Sequence, residues 1–167
     1  MADWGADYAA LSAADSGDAL SAEELERLAV AAFLIGRDGE VPALRERAFE
    51  AHLERGLVER AAECGFWLGF QVEIRGDDAQ AAGWAARVRR LIPDDPDSRL
   101  GGRLRQRDAV GLMFAGDAVT ALPIFDESSR VAARCNDLDG FVLAGSAEDG
   151  VWRCSTAARN PPTRTTR

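Results

Sequence analysis

The sequence predicts an all-α fold, a short stack of antiparallel helix hairpins, from three observations. Glycines recur at 40-residue intervals, at Gly36, Gly76 and Gly116. The same pattern of residue properties surrounds each of them. Apolar residues keep the 3.6-residue spacing of helices, with no strand-like alternation.

The repeat is defined by five offsets from each glycine. Seven residues before it stands a small residue, Ala29, Gly69 or Ala109. Four before it comes an apolar residue, Ala32, Val72 or Leu112, and two before it a large one, Leu34, Ile74 or Phe114. Five after it come Val41, Ala81 and Ala121, and eight after it Leu44, Trp84 and Ile124. A glycine at the end of a helix adopts positive φ without strain and closes the last turn. An Asp one or two residues later then caps the next helix. The small residue two turns back lets the paired helix approach closely, and the apolar positions fill the seam between helices. One hairpin cannot bury both of its apolar faces, so hairpins must stack.

On this basis helices are expected near 22–35, 39–55, 58–75, 77–91, 99–115 and 117–134. Ser21-Ala22-Glu23-Glu24 is a capping box that opens the first. Pro93-Asp94-Asp95-Pro96-Asp97-Ser98 reads as a loop, and the connection at Gly56 as a shorter one. Pro42 is tolerated in a first turn, whereas Pro123 should kink or delay its helix. The expected organisation is the second helix of a truncated repeat over 1–20, repeats over 21–56, 57–97 and 98–136, a partial repeat over 137–150 and a disordered basic tail over 151–167.

The chain has 167 residues, is 47% hydrophobic and carries a net charge of −8. All 20 basic residues are Arg, a bias of high-GC genomes that says nothing about activity. Four of them, Arg153, Arg159, Arg164 and Arg167, lie in the tail, so the acidic body repels phosphate backbones and direct nucleic-acid binding is not expected. No apolar run reaches the length of a membrane span and no signal peptide opens the chain, which makes the cytoplasm the expected location. The cysteines, Cys64, Cys135 and Cys154, form no CxxC pair and read as reduced thiols, Cys64 as a small buried residue.

From Gly65-Phe66-Trp67-Leu68-Gly69 through Pro93 the sequence resembles a tetratricopeptide repeat. Leu68-Gly69 falls on that motif's Leu-Gly pair, Gly76 on its turn glycine, Ala81 on its small packing residue and Pro93 on its terminal proline. Gly65, Val72 and Ala85 depart from it, standing where Trp, Tyr and Phe are usual. Over residues 4–139, Trp4, Tyr8 to Asp15, Leu20 to Asp38, Cys64 to Phe70 and Met113 to Ala118 resemble the helical-repeat region of large LuxR-type transcriptional regulators of high-GC bacteria. These resemblances imply a right-handed α-solenoid of about three repeats that senses or transmits a signal. The DNA-binding domain of such regulators has no counterpart here. The pattern opens on a second helix and is lost after Gly145, so a truncated or frame-shifted piece of a larger regulator is expected, the alternatives being a LuxR-type transcriptional regulator in its own right and a remnant without independent function.

Enzyme chemistry finds no support in the sequence, and no cofactor is expected. The chain has a single histidine, His52, and neither Glu50 nor Glu54 completes a ligand set with it on one helical face, so His52 reads as a solvated helix residue. Asp77-Asp78 and the acidic loop at 94–97 lack the glycine and closing Glu of a calcium loop, and Gly101-Gly102 lacks the Lys-Ser/Thr of a phosphate loop. The expected binding face is the set of exposed first-helix positions: Glu23, Glu26, Val30 and Phe33; Glu63, Phe66, Phe70 and Glu73; Arg103, Gln106, Val110 and Met113. Aromatic and acidic side chains together suit a basic, partly apolar peptide or helix. The competing reading is that these aromatics are core and the glutamates merely solvated. Ends without capping repeats should also favour self-association.

Overall fold

The structure is a computed structural model that describes residues 3–16, 20–93, 95–140 and 142–143. The expected tail at 151–167 and residues 144–150 of the expected partial repeat lie outside the described residues. Among the described residues seven helices follow in order: α1 Trp4–Asp15, α2 Ala22–Leu34, α3 Val41–Glu54, α4 Val58–Ile74, α5 Asp78–Leu91, α6 Arg99–Phe114 and α7 Ala118–Arg134. A further helical run begins at 138. No strand occurs among the described residues. The bounds expected for α2 to α7 are met to within two residues, and α1 lies inside the expected 1–20.

The chain divides into two compact units, Met1–Pro93 and Asp94–Arg167. In the first, each helix from α1 to α5 packs on its sequence neighbour; in the second, α6 packs on α7. The core of the first unit gathers Leu25, Leu28, Val41, Leu44, Phe49 and Ala61. That of the second includes Ala109, Ala121 and Phe125.

The helix ends show why the period exists. Gly36, Gly76 and Gly116 all adopt positive φ, at 80°, 84° and 86°. In each case the next amide reaches back to close the last turn, Arg37 N–H on Ala32 O, Asp77 N–H on Val72 O and Asp117 N–H on Leu112 O. Gly56 and Asn136 do the same, with φ of 72° and 52°. The turns therefore recur every 20 residues where they occur, and the 40-residue repeat is two helices long. Asn136 takes the place of a glycine at this turn because Asn is, after glycine, among the residues best able to enter the left-handed region.

Asp77 and Asp117 cap the following helices as expected, accepting from Gln80 N–H and Thr120 N–H at 3.1 Å each. Asp38 does not. The turn after Gly36 runs on to Glu40, and α3 opens with Pro42 in its first turn, where a missing N–H costs nothing. The Ser21–Glu24 capping box is complete. Pro123 lies inside α7, which continues through it to Arg134.

One repeat position behaves differently from expectation. Leu34, Ile74 and Phe114 do not fill a seam: they are 52%, 70% and 81% exposed. At 100° per residue they stand about 200° around the helix from the buried Ala32 and Val72. The small residue seven before the glycine is on the buried face, and a Cβ added at Gly69 would lie 3.0 Å from Trp84 Cβ. Gly65 is tighter still, with Val88 Cγ2 at 2.9 Å and the Phe49 ring at 3.2 Å. We expect Gly65→Ala to destabilise by about 1–2 kcal/mol, overpacking outweighing the better helix propensity of Ala. Gly83→Ala, at an exposed position with nothing within 4 Å, should instead stabilise by about 0.5–1 kcal/mol. Urea midpoints of the two variants check the pair, and equal shifts would contradict the difference in packing.

Candidate functional site

The residues expected on one binding face have different surroundings. Glu23 and Phe33 are exposed, while Glu26, Glu63, Phe70, Glu73 and Met113 are half-buried. Phe66, Arg103 and Gln106 are not surface residues at all: they are 5%, 3% and 6% exposed. Phe66 packs edge-on against Trp67 and parallel to Phe70, with ring centroids 5.4 and 6.5 Å away. Arg103 turns inward because Asp137, the residue after the Asn136 turn, receives its guanidinium in two bonds of 2.7 and 2.5 Å. Gln106 and Ser128 border the same enclosed polar spot.

In the first unit an open groove of about 450 Å³ lies between α1 and α2, lined by Trp4, Asp7, Glu23, Glu26, Arg27 and Val30. Glu23, Glu26 and Val30 recur on one side of α2 because they are three and four residues apart. Trp4 and Asp7 face them from the first turn of α1, which Asp3 caps by accepting from Ala6 N–H. Most of the groove's carboxylates are met by arginines. Arg27 bonds Asp7 at 2.8 Å, Arg55 bonds Glu23 at 2.8 Å, and Arg60 stands 3.7 Å from Glu26. Glu23's own backbone N–H and Arg55 hold its carboxyl below the usual range.

Behind Glu26 is a polar cluster that the sequence did not reveal. Glu26 of α2, His52 of α3 and Cys64 of α4 bring their oxygen, nitrogen and sulfur atoms within 4.8 Å of one another. His52 is fully buried, which overturns its expected place in solvent. Its Nε2 lies 2.5 Å from Glu26 Oε1, and its Nδ1 is buried with no hydrogen-bond partner. Cys64 is buried as expected. Burial first, then the Glu26 charge, push its thiol up to about 12, against the pull of Arg45. A thiol so protonated is a poor nucleophile. Desolvation also lowers the pKa of the Arg45 guanidinium from its ordinary value, while Cys64, Glu26 and Glu63 act in the opposite sense.

The sequence did hold a signal for His52. Val41, Leu44, Ala48, Phe49 and His52 share one helical stripe, all buried. Glu50 and Glu54 of α3 are not its partners, since His52 meets residues 26 earlier and 12 later in the chain. Helix spacing reports neighbours within one helix only. Comparison with protein-family models, with curated proteins and with solved structures finds no match to this chain, so the geometry alone carries the functional reading.

Proposed function

We propose that this chain is a non-catalytic helical-repeat scaffold that binds a basic, partly apolar peptide or helix in the groove between α1 and α2. With it goes a finer architecture, in which the pairs α2–α3 and α4–α5 are successive tetratricopeptide-like turns of a right-handed solenoid. The observation that carries the reading is the lining of the groove. Three carboxylates, Asp7, Glu23 and Glu26, lie with Arg27 between the apolar surfaces of Trp4 and Val30, and the exposed Arg55 and Arg60 that approach them from outside the lining can be displaced. A basic amphipathic segment would meet the carboxylates with Lys or Arg and lay its apolar side on Trp4.

The test is an anisotropy titration of the full chain with a labelled basic amphipathic peptide and with its acidic counterpart. The basic peptide should bind, more weakly as salt rises, and the acidic one should not. Glu23→Gln should weaken binding by about 2–5-fold, the effect of one groove-edge charge. Equal affinity for both peptides, or no saturable binding of either, would overturn the proposal. Duplex DNA should not compete, given the acidic body.

A further inference from the structure

The geometry points to Glu26, His52 and Cys64 as a three-ligand site for a divalent ion of the zinc class, open on the side of the α1–α2 groove. The donor set is mixed sulfur, nitrogen and oxygen, which suits zinc, cobalt or cadmium and does not suit magnesium or calcium. Three protein ligands with a remaining position for water is the arrangement of accessible rather than sealed zinc sites. Each ligand comes from a different helix of the same unit, so the site exists only in the folded chain.

Two features beyond proximity support a ligand here. His52 is a fully buried imidazole whose Nε2 already meets Glu26, so the core holds a ring nitrogen fixed toward the cluster before any ion arrives. Glu26 belongs both to the cluster and to the groove lining, which provides an entry path. Its side chain is 27% exposed, whereas His52 and Cys64 are sealed.

Bond lengths of about 2.0–2.3 Å around a tetrahedral ion require donor separations of roughly 3.3–3.8 Å. The His52–Glu26 contact of 2.5 Å must therefore open by about 1 Å, and the wider separations, all within 4.8 Å, must close by no more than about 1.5 Å. A rotation of the partly exposed Glu26 carboxylate and of the Cys64 thiol supplies such shifts without moving a helix. On binding, the Cys64 S–H bond breaks, its proton leaves to solvent, and the sulfur lone pair forms the metal–sulfur bond. No electron is transferred. The thiolate and the Glu26 carboxylate then balance the dication, while Glu63 offsets the nearby charge of Arg45.

The test is a cobalt(II) titration of the full chain, followed by displacement with zinc(II). A tetrahedral thiolate site gives sulfur-to-cobalt charge-transfer absorption and visible d–d bands, and zinc should abolish both. The bands should persist in Cys135→Ala/Cys154→Ala and vanish in Cys64→Ala, a small-for-small change whose helicity is checked by circular dichroism. Glu26→Gln should weaken the affinity by at least about tenfold. Because His52 is the only histidine, its imidazole resonances in the unaltered protein give a readout that needs no variant, and they should shift on adding zinc. Absence of a charge-transfer band at saturating cobalt, its survival in Cys64→Ala, or unmoved His52 resonances would each overturn the proposal. None of these measurements involves a peptide, so the site and the groove stand or fall separately.

Discussion

Asp137→Ala should destabilise the protein by about 3–5 kcal/mol, the cost of breaking a buried ion pair from one side. Arg103 is 3% exposed, and Asp137 grips its Nε and Nη2 at 2.7 and 2.5 Å. Asp137 also accepts from Gly140 N–H at 3.2 Å and so caps the helical run beginning at 138. Removing its carboxylate takes away both functions at once. Asp139 approaches Arg103 at 3.7 Å, but it is 68% exposed and a weak substitute. Urea unfolding of Asp137→Ala checks the magnitude, and a loss below about 1 kcal/mol would show that the pair is not buried in solution. The double replacement Arg103→Met/Asp137→Leu should recover much of the loss, because it removes the stranded charge along with its partner.

The same pair has a pH signature. Burial raises the Asp137 pKa, but the Arg103 hydrogen bond, the Gly140 N–H and the charges of Arg103 and Arg99 together hold it below its ordinary value of 3.8. A carboxyl with a depressed folded-state pKa stabilises above its unfolded value, and that stability is lost as pH falls through the folded value. The stability gap between the native chain and Asp137→Asn should therefore be full at neutral pH. It should narrow only as the pH drops below about 3.8. A gap that closes already near neutrality would contradict the depression.

Phe49→Ala should cost about 3–5 kcal/mol in the first unit. The Phe49 ring is fully buried and lies edge-on to Trp84, with centroids 5.2 Å apart. The Arg87 guanidinium sits over it at 4.3 Å. Truncation removes both contacts and leaves a cavity facing Gly65, where α4 packs closely enough to crowd a Cβ. The cavity leads to a second expectation. Gly65→Ala should cost less in the Phe49→Ala background, because the ring at 3.2 Å has gone, although Val88 Cγ2 at 2.9 Å remains. A double-mutant cycle should thus show coupling of about 1 kcal/mol or more. Additive costs would mean that Val88 alone sets the limit at Gly65.

Local features of this chain were readable because their causes are local. Gly36, Gly76 and Gly116 ended helices as their spacing implied, and Asp77, Asp117 and the Ser21–Glu24 box opened them. Each involves residues within one turn of each other. Exposure at Leu34, Ile74 and Phe114 was misjudged despite equal regularity, since an apolar residue at a repeat position does not say which way its helix is turned. The candidate binding face suffered likewise. Arg103 and Glu23 occupy equivalent repeat positions 80 residues apart, yet one is pulled inward by Asp137 and the other stays in solvent.

Six helices, α2 to α7, were legible in the sequence to within two residues, along with the left-handed glycine turns between them and the all-α class. Only the tertiary structure decided that His52 leaves solvent to meet Glu26 and Cys64, and that Arg103 becomes core. The physical reason is one of range. Helix formation and capping depend on atoms a turn apart, which a linear pattern contains. The meeting of three side chains from three helices depends on the rotation and closeness of packed helices, which arise from all the contacts at once.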